Sequence, residues 1–544
     1  QTHTFPANPD DCLKVAQMMG YQRTEDLLAD LNKYRAVVAS QFDAMFSDKR
    51  EAPSNSDGDA MPVISANPAT SDTDNDEALQ ARLLSLGFDD APASARRLRL
   101  TLQSPKLQSM PEANRDKLIA LMNSALPIIA RVSENRADTL NRLLDFLEAI
   151  ARRASYIALL TEFPHTLERV VRMMGASSWA AKYLTQHPIL LDELLDDRTL
   201  HAAPNWIAFG KEVERQLSTM EGDTEHQMNV LRDLHHAQLF RLLAQDLEGS
   251  LTVERLADHL SALADILVGA TIMAAWKTIA ARHREIPKFA VIAYGKLGGK
   301  ELGYASDLDV VFLYDDDDQE APALYAKLAQ RFITWMTTHT PSGILFDVDI
   351  ALRPDGASGL LVSRLAAFEK YQKDSAWVWE HQALTRARFC AGDIAIGERF
   401  ELIREEVLRQ ERDPEKLKSE VLAMRKRMHE AHPNRSDQFD LKHDAGGMID
   451  IEFIVQFLVL RNAAQYPQLT ADIGNIALLK LCGELGLIDV TLAGDVAHAY
   501  RSFRKMQHEI RLQGHDRARV AMERVARDAE NVRRLWKEVM GDGS

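Results

Sequence analysis

The chain has 544 residues, of which 46% are hydrophobic, so it can bury several cores and we expect about two to four domains. Its formal net charge of −15 argues against a large nucleic-acid-binding surface, and its three cysteines lack the number and spacing of a disulfide framework or a metal site. No apolar run approaches the roughly 20 residues of a membrane helix and the first residues do not form a signal peptide, so the sequence predicts a soluble, cytoplasmic protein with no membrane partner.

The N-terminal half is predicted to be helical apart from one linker. Residues 1–50 contain a segment with helical apolar spacing, and residues 51–77 are rich in Ser, Asp, Asn and Pro, a composition typical of a flexible linker. Residues 78–251 are nearly all amphipathic helix and predict a helical domain. Because the chain starts at Gln1 without a methionine, we expect it to be a fragment of a longer protein.

Residues 252–397 mix helix and strand patterns, before helices return in a predicted C-terminal helical domain, residues 398–544. Phe289 to Ala293 is apolar and β-prone, and Leu308 to Tyr314 is a second such run, so both predict buried strands. The acidic run Asp315 to Asp318 after the second strand predicts a solvated loop.

A glycine-rich turn joins these two strands and leads to a pair of aspartates. Gly295, Gly298 and Gly299 let backbone N–H groups approach phosphate oxygens closely. Asp307 and Asp309 project to one face because strand side chains alternate, and a divalent cation such as Mg²⁺ would relieve their repulsion. The alternative interpretation is a polar turn before an ordinary strand.

A third carboxylate comes from Ser342 to Pro354, another short strand-like run. Asp347 and Asp349 fall on one face by the period of two, so spacing does not decide which of them would join the first aspartate pair. Arg353 follows in a turn, where a guanidinium can bind a polyphosphate. The alternative is a solvated edge strand that ends in a turn.

Two arginines follow in Trp377 to Arg388. Helical spacing places Trp377 and Arg388 on one face of a helix and Arg386 on another. Either arginine can neutralise phosphate charge, and the alternative is a buried tryptophan with arginine salt bridges.

A second glycine pair precedes a very apolar helix near the C-terminus. Gly446 and Gly447 come just before Asp450 and Glu452 in the segment Lys442 to Gln456. The two acidic residues either favour the dipole of the helix N-terminus or contact the cleft beside the glycine-rich turn.

Four long segments in a fixed order resemble the C-terminal, adenylylating half of bacterial glutamine synthetase adenylyltransferase, a bifunctional family that also removes the adenylyl group. The resemblance extends from about Leu140 onward and implies an α+β fold, with a nucleotidyltransferase-type mixed-sheet catalytic domain flanked by helical domains and predominantly α overall. The segments are GKLGGKELGYASDLD (Gly295 to Asp309), SGILFDVDIALRPDG (Ser342 to Gly356), WVWEHQALTRAR (Trp377 to Arg388) and FDLKHDAGGMIDIEFIVQFLVLR (Phe439 to Arg461).

The resemblance implies transfer of AMP from ATP to a tyrosine of glutamine synthetase, with Mg²⁺ as cofactor and with control by glutamine and a PII-type signalling protein. It places the family's third acidic residue at Asp349 and makes residues 1–50 part of the connection between the two halves. The residues that the chemistry and the resemblance together assign are Asp307, Asp309 and Asp349 as catalytic metal ligands and Gly298, Gly299, Ser306, Arg353, Arg386 and Arg388 as nucleotide-binding residues.

Other function classes remain open at this point. A nucleotidyltransferase that acts on nucleic acid should show a basic tract, which the sequence lacks. A domain that removes AMP by phosphorolysis would share the motifs, and a helical scaffold without activity would require structural carboxylates.

Overall fold

The computed structural model describes scattered residues between Cys12 and Leu28, and then residues 72–195, 200, 202–471 and 474–541. The chain divides into two units, Gln1–Met61 and Pro62–Ser544, and every element named below belongs to the second. Most of the helix predicted within residues 1–50 and most of the predicted linker lie outside the described residues. The end of the linker segment belongs to the first helix, which begins at Asp72.

Helices occupy the described chain up to residue 195, and their core also takes in a few side chains from later helices, such as Phe240 and Leu512. Polar side chains start several of them: Asp90 and Asn135, for example, accept hydrogen bonds from first-turn N–H groups of the helices that follow. Buried side chains from Leu79 to Leu200 form one hydrophobic core. The helices are α1 (Asp72–Ser85), α2 (Ala91–Leu102), α3 (Pro105–Gln108), α4 (Glu112–Val132), α5 (Arg136–Ile150), α6 (Ala154–Glu162), α7 (Pro164–Ala176) and α8 (Ser178–Gln186), followed by a 3₁₀ helix, Pro188–Leu194.

Three further helices, α9 (Trp206–Thr219), α10 (Thr224–Leu247) and α11 (Val253–Lys277), pack into the core of the sheet. By length and composition α11 passes as a membrane-crossing helix, but 61% of its most apolar window is buried inside the protein. It covers one face of the sheet, so we interpret it as a core helix.

The sheet is small and mixed. Strands β1 (Phe289–Ala293) and β2 (Leu308–Tyr314) pair antiparallel and have the bounds predicted from the sequence. The segment Ser342–Pro354 forms only a two-residue strand, β3 (Val348–Asp349), which pairs parallel to the start of β2. Strand β4 (Val362–Arg364) pairs parallel to the end of β2, and β5 (Arg388–Gly392) pairs antiparallel to β1.

Side chains alternate along β1 and β2, so each face of the sheet carries apolar residues, and both faces are covered. Phe289, Val291 and Val310 belong to the core shared with α9–α11 and with α13 (Ala321–Thr337). Ile292 and Val311 face the opposite core, which the helices after the sheet supply. By the same alternation, Asp309 and Asp307 lie on this second face.

The remaining described chain returns to helix and includes a two-stranded antiparallel ribbon. Its helices cover the second face of the sheet and form a further core of their own. These elements are α14 (Leu365–Asp374), α15 (Val378–Leu384), α16 (Ile394–Leu408), α17 (Pro414–Ala431), β6 (Phe439–Asp440), α18 (Met448–Asn462), α19 (Asn475–Glu484), α20 (Val490–Leu512), β7 (Arg519–Val520) and α21 (Ala526–Met540). The short helix α12 (Gly295–Gly298) lies earlier, in the glycine turn between β1 and β2.

The predicted helix over Trp377 to Arg388 is wrong at its C-terminal end. Helix α15 ends at Leu384, and Arg388 begins β5, so Trp377 and Arg388 do not share a helical face. Pairing of β5 with β1 overrides the local helical pattern. The predicted fold class is confirmed, since a small mixed sheet lies among helical regions in a mostly helical chain.

Arg232 on α10 anchors the loop that leads to β3. The side chain is fully buried, and its guanidinium donates to the backbone carbonyls of Gly343, Trp335 and Thr338 at 2.7, 2.8 and 2.7 Å. Methionine in its place leaves these carbonyls without a donor, so we expect Arg232→Met to lower the free energy of unfolding in urea by about 2–4 kcal/mol. Arg215→Met, at an exposed ion pair on α9, is the control, and equal losses in both variants would contradict the anchoring role.

Candidate active site

The turn between β1 and β2 holds the carboxylate of Asp309 against Gly295. The N–H of Tyr294 donates to the carbonyl of Asp309 at 2.8 Å, which closes the turn onto the strand. Gly295 has φ +52°, and a Cβ at this position would lie 2.0 Å from Asp309 Oδ2. Both the backbone conformation and the space therefore require glycine here.

Asp349 lies opposite Asp309 because β2 and β3 pair in parallel, with these two residues in register. Burial first, and then the charges of Asp307 and Asp349, raise the pKa of Asp309 to about 6. Asp347 precedes β3, is exposed, and accepts the N–H of Leu308 with its backbone carbonyl at 2.9 Å. The structure thus brings Asp307, Asp309 and Asp349 together at one end of the sheet.

The mutual repulsion of these carboxylates bears on whether they are suited to bind Mg²⁺. Nowhere in the described ranges do three His, Cys, Asp or Glu side chains form a complete metal cluster. Mg²⁺ is usually held by one or two carboxylates together with water and substrate phosphates, so it does not need such a cluster. Hard carboxylate oxygens whose charges raise the pKa of Asp309 fit a divalent cation.

The glycine pair packs against the segment of Arg386. A Cβ on Gly298 would lie 2.2 Å from the carbonyl oxygen of Arg386, and one on Gly299 would lie 2.7 Å from its Nη2. The N–H groups of Gly298 and Gly299 donate to Tyr294 and Gly295 carbonyls at 2.8 and 3.1 Å. Phosphate contact through these two N–H groups stays a prediction, and in this structure they close the turn.

The guanidinium of Arg386 forms ion pairs with Glu301 and, at 3.2 Å, with Glu452 on α18. The hydroxyl of Tyr500 on α20 lies 2.9 Å from Glu301 Oε2 and 3.0 Å from Glu452 Oε1, and these carboxylate oxygens share its single hydrogen as acceptors. Only 14% of the Arg386 side chain is exposed, so this network joins the glycine turn to the C-terminal helices.

The other two predicted arginines also have partners in the protein. Arg388 donates to both carboxylate oxygens of Asp265 at 2.9 Å and to the carbonyl of Leu297 at 3.1 Å. Arg353 donates to the carbonyls of Ile350 and Ala357, at 2.8 and 3.2 Å, within its own turn. Nucleotide binding by these arginines stays a prediction, and their present contacts are structural.

Ser306, which immediately precedes Asp307 in the chain, borders a cleft of about 530 Å³. Its hydroxyl accepts the N–H of Gly303 at 3.0 Å. Trp179 from α8 stacks on Tyr304 in the cleft wall, with ring centroids 5.1 Å apart. Lys296 lines the cleft as well, and its charge interacts with that of Asp307, so an aromatic surface and a cation lie at the edge of the carboxylate group.

Sequence reasoning assigned no role to Lys296 or Trp179. Lys296 stands inside the glycine-rich motif, where a cation one residue after Gly295 was an available signal. Trp179 carries no such signal, because its place in the cleft depends on the packing of a distant helix.

In the second glycine segment, Asp450 is buried, accepts Arg425 Nε at 2.5 Å and accepts the N–H of Gly446 at 2.6 Å.

Comparison with known proteins identifies relatives over nearly the whole chain. Residues 167–403 match the family described as glutamate-ammonia ligase adenylyltransferase, and residues 415–539 match the family described as GlnD PII-uridylyltransferase. Proteins named bifunctional glutamine synthetase adenylyltransferase/adenylyl-removing enzyme from Ralstonia nicotianae and Aromatoleum aromaticum are each 50% identical over 99% of this chain and 56% of their own length. The protein of that name from Chromobacterium violaceum is 49% identical over 99% of this chain and 59% of its own. The chain therefore spans somewhat more than half the length of these curated relatives.

The raised pKa of Asp309 predicts how stability depends on pH. An unfolded aspartate titrates near ~4, so between about pH 4 and pH 6 the unfolded chain loses a proton that the folded protein retains. Rising pH then destabilises the wild-type fold through this group, and Asp309→Asn removes that loss. Without divalent metal, we expect the stability of the variant relative to wild type to grow by about 1–3 kcal/mol from pH 4 to pH 7, measured by urea unfolding.

The same subtraction with Asp347→Asn serves as the control, because Asp347 is an exposed carboxylate one strand position away from the paired residues. A stability difference for Asp309→Asn that does not change with pH would contradict the carboxylate repulsion.

Proposed function

Because this chain belongs to the family of bacterial glutamine synthetase adenylyltransferases, we propose that it transfers AMP from ATP to a tyrosine hydroxyl of glutamine synthetase. The phenolic oxygen forms a bond to the α-phosphorus, the bond from that phosphorus to the bridging oxygen breaks, and pyrophosphate leaves. The observation that carries the proposal is the convergence of Asp307, Asp309 and Asp349 at the end of a sheet that lies inside the family match.

The three carboxylates have different surroundings, which supports different roles. Asp309 is half-buried against the glycine turn, so it holds a fixed position, and with Asp307 it would hold Mg²⁺. Bound Mg²⁺ would polarise the α-phosphate and offset the charge of the departing pyrophosphate. Asp349 is exposed, and its Oδ1 accepts the N–H of Ala351 at 2.7 Å, which orients the carboxylate toward the open side.

Asp349 then assists removal of the phenolic proton. A free tyrosine titrates near ~10, so few tyrosines are ionised at neutral pH and a carboxylate beside the reacting oxygen lowers the barrier. Charges that act mainly as the phenolate forms stabilise the transition state more than the bound substrate.

The proposed partners follow from the family. Glutamine synthetase is the protein substrate, and its docking surface lies outside the cleft because the reacting tyrosine belongs to the partner. The match of residues 415–539 to GlnD PII-uridylyltransferase supports control by a PII-type protein. Control by glutamine rests on the family resemblance alone. We place the activity in the cytoplasm and propose neither a nucleic-acid nor a membrane partner.

The names of the relatives also include removal of the adenylyl group. Incubation with labelled ATP, Mg²⁺ and unmodified glutamine synthetase should label the acceptor, whereas adenylylated glutamine synthetase with phosphate should release little ADP. Release of ADP without transfer would assign the phosphorolytic direction to this half.

Asp349→Asn should lower the rate of AMP transfer by about two to four orders of magnitude, because both metal binding and proton removal lose a charge. Asp347→Asn is the matched control and should change the rate less than about fivefold, since Asp347 lies before the strand that pairs with β2. Rates are measured at saturating ATP with glutamine synthetase as acceptor. Similar losses in both variants would contradict the assignment, and a larger loss in Asp347→Asn would reverse it.

A further inference from the structure

Carboxylates of the protein already balance the charges of two predicted arginines, Arg386 and Arg388, so further cations are candidates for contact with the β- and γ-phosphates. Arg386 pairs with two glutamates, Arg388 pairs with Asp265, and Arg353 binds its own turn. A polyphosphate that bound any of these arginines would have to displace contacts that already satisfy them.

A second cavity, of about 550 Å³, lies in the C-terminal region between the end of α17, the β6–β7 ribbon and α20. Arg435, Lys442, Arg511 and Arg517 line it and are exposed. Within the described part of the chain, these four side chains form no ion pair with a carboxylate. In a chain with a net charge of −15, such a group of unpaired cations is a local excess of positive charge.

The carboxylate of Asp440 does not neutralise this excess, because the protein already uses it. Its Oδ1 accepts the backbone N–H groups of Lys442 and His443, each at 3.0 Å, and its Oδ2 lies 3.5 Å from Arg519. Asp440 therefore shapes the loop that presents the side chain of Lys442 to the cavity.

The basic cavity adjoins the cleft that Ser306 borders. Arg511, Gln507 and the exposed Asp516 line both spaces, and Lys296 lines the cleft. The single carboxylate of Asp516 leaves the four cations of the cavity in excess. The pKa of Lys296 is lowered first by burial and then by the charge of Lys442, with Arg511 acting in the same direction and Asp307 opposing both. Lys296 thus lies within electrostatic reach of the proposed metal ligands on one side and of the C-terminal cations on the other.

We propose that Lys296, Lys442 and Arg511 form the subsite for the β- and γ-phosphates of the nucleotide, so that the C-terminal helical region completes the active site. This inference rests on the proposed function, which makes the substrate a nucleoside triphosphate. Lys296 interacts with Asp307 on one side and with Lys442 and Arg511 on the other, so the three cations extend from the carboxylates toward the C-terminal cavity. Lysine binds phosphate as a point charge, and an anion among these cations relieves their mutual repulsion.

Binding measurements test the subsite separately from catalysis. The variants are Lys442→Gln and Arg511→Gln, and the matched control is Lys480→Gln, which removes an exposed charge from α19 outside both cavities. Calorimetric titrations use Mg²⁺ with pyrophosphate, with α,β-methylene-ATP and with AMP. Thermal unfolding checks that each variant is folded.

We expect each subsite variant to bind pyrophosphate and α,β-methylene-ATP at least about tenfold more weakly than wild type, with AMP affinity unchanged. The control variant should match wild type for all three probes. Unchanged binding of the ATP analogue, including the case in which only pyrophosphate binding weakens, would overturn the subsite and leave a separate anion site. Equal losses for AMP and the analogue, or no binding of any probe by wild type, would overturn it as well.

The two proposals fail in different ways. If wild type transfers AMP to glutamine synthetase but the variants bind the analogue normally, the subsite is wrong and the function stands. If wild type does not label glutamine synthetase while the variants lose analogue binding selectively, the subsite stands and the acceptor is wrong.

Discussion

The ion network around Arg386 is the constraint on which the candidate site depends. The glycine pair closes over the guanidinium, whose charge is balanced by Glu301 at the end of the turn and by Glu452 on α18. Tyr500 on α20 contacts both carboxylates, so one buried cation connects the catalytic turn with two C-terminal helices. Removing one member of such a buried pair leaves an uncompensated charge, at a cost of about 3–5 kcal/mol. A conformation of the turn that separated these charges would meet the same kind of penalty, so the network favours the observed conformation.

Negative and positive charge lie in neighbouring regions on either side of Lys296. The aspartates of β2 and β3 concentrate negative charge at the end of the sheet, while Lys442 and Arg511 contribute positive charge in the C-terminal region. A substrate that carries both a metal-binding phosphate and a longer anionic chain matches the two regions together. Net charge describes the whole surface and misses this local arrangement, because a few unpaired cations determine the potential inside a concave space.

The sequence predicted the local parts of the fold better than the long-range pairings. Strands β1 and β2 have their predicted bounds because short, largely apolar and β-prone runs between polar turns favour buried strands. Arg388 was predicted to lie in a helix, but in the structure it begins strand β5. Local sequence does not reveal this strand, because its partner β1 lies almost 100 residues earlier in the chain. The acidic run after β2 was predicted to be solvated, yet Asp316 is buried, 2.8 Å from both His283 and Arg284.

The candidate site shows the same division. Asp307 and Asp309 follow from the alternation of one strand, whereas the period of two left Asp347 and Asp349 equivalent until the register of β3 against β2 placed Asp349 beside Asp309. Chemistry of the arginine side chain suggested phosphate binding, but a sequence does not reveal a partner such as Asp265, 123 positions from Arg388.

The placement of the aspartates explains why the C-terminal helices lie close to the candidate site. Alternation along β2 directs Asp309 to the same side as Val311, and that side packs against α18. The segment just before α18 carries Lys442, so the packing that buries this face of the sheet also brings a cation toward the glycine turn. The helices that cover this apolar face of the sheet therefore also place Lys442 near the glycine turn. In the proposed site, a motion of these helices relative to the turn would change the electrostatic potential at the bound nucleotide.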